Sequence, residues 1–69
     1  MERYRNLEGT SPILGYEIGR GFIKVWFEGS AVPYRYRTHL RELKRLATQG
    51  KGLSTFISQN RNTLPFTHG

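Results

Sequence analysis

Between residues 12 and 37 apolar and polar positions alternate, the period of a strand with one buried face. Three runs, 12–18, 22–28 and 31–37, are separated by Gly19-Arg20-Gly21 and by Gly29-Ser30. Gly29-Ser30 puts glycine first, as a type II′ hairpin turn requires, and Arg20-Gly21 can close the other hairpin in a similar way. The pattern predicts a three-stranded antiparallel meander. With both joints as two-residue loops, Ile18 faces Ile23, Tyr16 faces Val25 and Leu14 faces Phe27, while Phe27 also faces Val32, Val25 faces Tyr34 and Ile23 faces Tyr36. These residues all share one face, and a one-residue slip of either hairpin would carry charge into the core. The opposite face receives Glu17, Lys24, Trp26, Pro33, Arg35 and Arg37, with Phe22 at its edge. Pro33 has no N–H for a ladder, which predicts that 31–37 is an edge strand.

From Thr38 the period lengthens to that of a helix. Leu40, Leu43, Leu46 and Ala47 form an apolar stripe, and Arg41, Lys44, Arg45 and Thr48 take the polar side. Thr38 suits the N-cap and Gly50 the residue after the last turn. After Gly50-Lys51-Gly52, the spacing of Leu53, Phe56 and Ile57 predicts a second short helix to Asn60, started by Gly52 or Ser54. The expected fold class is α+β: a three-stranded antiparallel β-meander, an amphipathic helix whose stripe covers the apolar face, and a second short helix. One domain spans 11–60. Residues 1–10 read as a flexible arm and 61–69 as a flexible tail, with Leu64-Pro65-Phe66 able to pin against an apolar surface.

The chain has 69 residues and only 36% are hydrophobic, so the core is thin and supplies roughly 3–5 kcal/mol unaided. There is no cysteine to staple it. His39 and His68 lie far apart in a chain without aspartate, which argues against a structural metal. Burial against a second copy is another source of stability, so a homodimer is expected. No apolar run is long enough for a membrane span, and the first residues lack a signal-peptide core. A cytoplasmic setting is the expectation, with no membrane partner, cofactor or small-molecule substrate.

The net charge is +6, and it is uneven. Residues 20–61 carry nine basic residues against Glu28 and Glu42, whereas residues 1–19 carry Arg3 and Arg5 against Glu2, Glu8 and Glu17. A localised positive field favours a polyanion, DNA or RNA above all. Trp26 beside Lys24 and near Arg35 suits base stacking, and equally suits a dimer contact or cover by the arm. Arg35 and Arg37 alternate outward and suit phosphates or guanine edges, as in β-ribbon readers, or simply a solvated edge. Arg41, Lys44, Arg45 and Lys51 form a basic helix flank able to neutralise phosphates. Gly50-Lys51-Gly52 is a weaker phosphate candidate, since a helix end explains both glycines. Glu17 and Glu28 do not make a paired-carboxylate site, so no enzyme is expected.

The order of elements resembles the KTSC domain, a family found at the C-terminus of some lysyl-tRNA synthetases and as free-standing bacterial proteins. The match rests on Gly15-Tyr16, on the alternating Ile23, Val25 and Phe27, on Gly29, on Tyr34-Arg35-Tyr36, and on the stretch from Ala47 through Gly50-Lys51-Gly52-Leu53 to Phe56-Ile57. It covers about residues 11–60. Arg37-Thr38-His39 stands where the family usually has Val-Pro, and Ser54 or Thr55 where it has asparagine. The resemblance implies a small α+β domain suspected of binding RNA. Two functions follow from the sequence: a nucleic-acid-binding module, as a dimeric DNA-binding regulator or an RNA-binding protein, or an adaptor that docks an acidic protein on the Trp26 face.

Overall fold

The computed structural model describes residues 1–69. It is α+β, with a five-stranded antiparallel sheet in sequential order and two helices. The strands are β1 (Glu2–Arg3), β2 (Ile13–Gly19), β3 (Phe22–Phe27), β4 (Tyr34–Tyr36) and β5 (Phe66–His68), and the helices are α1 (Leu40–Gln49) and α2 (Leu53–Gln59). The sheet has five strands rather than three because the two ends of the chain supply its edges.

The central register follows the alternation. Ile18 pairs with Ile23 and Tyr16 with Val25; Ile23 pairs with Tyr36 and Val25 with Tyr34. Ile23, Val25 and Tyr36 are buried beside Leu43, Ala47 and Leu53, and α1 lies over β3.

Four expectations change at the strand ends, the first being that Ile18, although paired with Ile23, stays exposed rather than buried. A bulge lies between Ile13 and Gly15, so Ile13 rather than Leu14 faces Phe27. Ile13 is buried and Leu14 is exposed. The Leu14 carbonyl instead accepts from Tyr4 N–H at 3.0 Å, so the arm satisfies the backbone at the bulge. Val32 is exposed because residues 28–33 form a loop. The turn closes through Ser30 N–H to Phe27 O at 3.2 Å, with Gly29 at φ 80°. Pro33 stands just before β4, and β5 pairs on that side. Proline therefore does not mark an edge here: only Tyr34–Tyr36 enter the ladder, and the Pro33 carbonyl accepts from Gly69 N–H at 3.1 Å.

The N-terminal segment is a strap. Glu2 and Arg3 pair with Tyr16 and Gly15, and Tyr4 is 3% exposed. Gly15 permits this approach, since a Cβ there would lie 2.6 Å from the Glu2 carbonyl oxygen. Arg5 donates to the Thr48 carbonyl and, at 3.0 Å, to the Gln49 carbonyl. It thereby places a cation at the C-terminal end of α1, whose own last turn has no basic residue. Leu7 N–H reaches Gly50 O at 2.8 Å. At α2, Glu8 accepts from Gly52 N–H at 3.2 Å and the Tyr4 hydroxyl accepts from Leu53 N–H at 3.4 Å. At the other end, Leu64 is buried in the core.

The helix starts also differ in detail. His39, at φ 57°, is the N-cap of α1 and makes no side-chain cap bond. The expected cap, Thr38, instead bonds the His39 ring through its hydroxyl at 3.0 Å. Gly50 ends α1 at φ 84° and Gly52 starts α2 at φ 82°.

Candidate functional site

The helices cover one face of the sheet, and none of Glu17, Phe22, Lys24, Trp26 and Arg35 on the other face is buried. Register builds this open face. Glu17, Lys24, Arg35 and Thr67 stand in one cross-strand row. Arg3, Gly15 and Trp26 stand in the next. Phe22 follows Lys24 along β3 in the other direction, opposite Gly19. Its ring occupies the space a Gly19 Cβ would take, 2.0 Å away. The Lys24 ammonium lies 6.0 Å from the Phe22 ring centre and the Arg35 guanidinium 4.8 Å.

Sequence alternation thus identifies Lys24, Trp26 and Arg35 as neighbours on one surface with Phe22 at its edge, and the fold adds Arg3 and sets the Phe22 ring against Lys24 and Arg35. Arg3 is invisible to that reasoning because its place depends on a long-range pairing with Gly15. Arg35 is partly occupied: it donates to the backbone oxygen of Gly69 at 2.8 Å, and its Nε is buried without a partner. Glu17 sits opposite Lys24, but the sole ion pair in the protein joins Arg45 and Glu42.

The remaining predicted cations lie outside the strand ladder. Arg37 is exposed one residue beyond β4, and Arg41 and Arg45 are exposed on α1. Because α1 turns Leu43 and Ala47 to the sheet, its exposed flank looks away from the Trp26 face. Arg45 is tied to Glu42 and to Gln49 Oε1 at 3.1 Å; the contact holds the Glu42 carboxyl below its usual range and raises Arg45. Lys44 donates to the Gly19 carbonyl at 3.3 Å. Lys51 is exposed between the helices. Its glycine neighbours do not form an open phosphate cradle, since Gly50 N–H bonds Leu46 O and Gly52 N–H bonds Glu8. The structure therefore separates the helix flank from the sheet face.

Tyr34 and Tyr36 point to the helix side of the sheet. Burial pushes the Tyr36 phenol up to about 12, with Tyr34 adding to the rise. An unfolded tyrosine ionises near 10. The folded state therefore holds its proton longer, and the associated stability is present below about pH 10 and is lost as pH rises toward 12. Between pH 8 and pH 11 the urea midpoint of Tyr36→Phe is expected to fall less than that of the parent. An equal fall in both would show that Tyr36 ionises alike in the two states.

No group of three metal-binding side chains comes together, and no helix is long and apolar enough to cross a membrane. No protein-family model matches the chain, and neither does a curated protein or a solved structure.

Proposed function

We propose that the chain is a small, non-catalytic nucleic-acid-binding protein that takes single strands on the open face of its sheet. The observation that carries this reading is the cluster of Trp26, Phe22, Lys24 and Arg35 on one uncovered surface, with Arg3 alongside. Bases stack on aromatic rings whatever their identity, and the cations meet the phosphates that connect them. The mode of binding follows from width. Strands lie about 4.8 Å apart, so five span roughly 19 Å, broader than the ~12 Å major groove that admits a two-stranded ribbon. A flexible single strand can lie across such a surface. The KTSC resemblance, carried by Tyr34-Arg35-Tyr36 and the strand before it, agrees with an RNA ligand. The +6 charge supplies attraction at a distance, and a homodimer would double the cationic surface.

Trp26 is the only tryptophan, so its fluorescence reports stacking directly. A titration with an unstructured oligo(U) is expected to quench it. Affinity should fall with salt by about 0.7 log units per log unit of salt for each phosphate neutralised. Trp26→Ala should weaken binding about tenfold, and Lys24→Gln should flatten the salt slope. Arg41→Gln, on the far layer, should change little. A salt-independent affinity, or an unquenched Trp26 at saturation, would refute the reading. Capture of an acidic protein through Trp26 that survives nuclease would favour the adaptor instead.

A further inference from the structure

On the helix side of the sheet, residues of β3, β4, β5, α2 and the loop after α2 line an open cleft of about 300 Å³. Its walls are Phe27, Ile57, Leu64 and Phe66, and its polar groups are Ser58, Arg61 and the two tyrosines Tyr34 and Tyr36. We propose that this cleft binds a small apolar monocarboxylate, whose head is held by Arg61 and the Tyr36 hydroxyl and whose body lies among the aromatic rings. This site is separate from the Trp26 face and does not depend on the nucleic-acid reading.

Three observations select that ligand. The first is the aromatic wall. The Tyr34 ring packs edge-on to Phe27 at 5.1 Å and lies 4.6 Å from Phe66. Phe66 nevertheless stays 49% exposed, so an apolar surface is left at the mouth for a ligand to cover. The volume lies at the small end of ligand pockets.

The second is the Tyr36 hydroxyl. Tyr36 is 2% exposed and lines the cleft. The hydroxyl of Tyr4 finds a protein partner in Leu53 N–H, whereas burial and the neighbouring Tyr34 are the only influences on the Tyr36 phenol, with no hydrogen bond among them. The one side-chain polar atom sealed from solvent without a partner is Arg35 Nε, so the Tyr36 hydroxyl is not sealed in, and an acceptor atom in the cleft can take its hydrogen bond. Like any tyrosine phenol it is protonated, hence a donor, throughout the neutral range.

The third is charge. No carboxylate lines the cleft, and Arg61 takes part in no ion pair. The polar set is thus one cation and three hydroxyls, which suits an anionic acceptor.

The test is a titration of the full chain, followed by backbone amide shifts, with 4-phenylbutyrate and with 4-phenylbutyramide. The acid is expected to shift Tyr34, Tyr36, Ser58 and Arg61 saturably and to bind about tenfold more tightly than the amide. Arg61→Gln, at an exposed position, should abolish the preference for the acid without unfolding the chain. Tyr36→Phe keeps the ring and should weaken the acid severalfold. Trp26→Ala should leave binding intact, so loss of the nucleic-acid site and loss of this one are distinguishable. Equal affinity for acid and amide, shifts that do not saturate, or shifts confined to the open sheet face would overturn the proposal.

Discussion

Leu43→Ala is expected to leave the chain largely unfolded at 25 °C. Leu43 is fully buried, with Ile23, Val25 and Leu53 the other large side chains sealed to the same degree. Truncating a buried leucine to alanine costs about 2–5 kcal/mol, from lost transfer energy and the cavity left behind. A core this small supplies about 3–5 kcal/mol in total, so one cavity removes most of it. Far-UV circular dichroism and amide shift dispersion read the outcome directly. Leu43→Met keeps the volume and should cost less than about 1.5 kcal/mol, which separates loss of packing from intolerance of any change at this position. A Leu43→Ala chain that still melts cooperatively within a few degrees of the parent would mean that α1 contributes little to the core.

The position of Leu43 is legible from the sequence because both patterns that meet there are local. The helical stripe and the strand alternation each point one face inward, and charge on the opposite side penalises every other register. The β2–β3 and β3–β4 pairings therefore follow from residues 16–36 alone. Leu14 shows where that logic stops. Leucine and isoleucine are equally suited to burial, so alternation cannot say which of Ile13 and Leu14 turns inward once a bulge interrupts the ladder. The bulge is accompanied by the Tyr4 N–H bond to Leu14 O, a contact across the chain that no local pattern encodes.

The same division runs through the candidate sites. Lys24, Trp26 and Arg35 belong together because strand geometry places them on one face, and that much is local. The separation of this face from Arg41, Arg45 and Lys51 needs the packing of α1 on the sheet. The cleft needs still more: Phe27, Tyr36, Ile57, Arg61 and Phe66 come from four elements and a loop. Tyr34 and Tyr36 read as core residues from the strand period, and Tyr36 is one, yet both also line a cavity that exists only because the chain end returns as β5. The polarity of residues 61–69 suggests a tail, while Leu64-Pro65-Phe66 carries the one signal for docking.

Tyr4→Ala tests the corresponding claim at the other end, and a loss of about 3–5 kcal/mol is expected, as for other large buried aromatics. Residues 1–10 are polar enough to read as a flexible arm, and a flexible arm would tolerate alanine at residue 4 with no change in stability. In the fold Tyr4 is part of the core cluster, its N–H closes the bulge on β2, and its hydroxyl accepts from Leu53 at the first turn of α2. That N–H has no partner within its own helix, so the phenol satisfies a group that α2 cannot. Tyr4→Phe divides the effect. It retains the ring and removes only the hydroxyl, and should cost about 0.5–1.5 kcal/mol. Urea unfolding of Tyr4→Phe gives the smaller value, and Tyr4→Ala, whose loss is as large as the whole core supplies, is expected to begin the titration already largely unfolded. If Tyr4→Ala unfolds at the parental midpoint, β1 is not part of the cooperative unit, and Arg3 loses its fixed place beside Trp26. If it unfolds early, the strap, the helix junction and the edge of the open sheet face rest on one buried side chain.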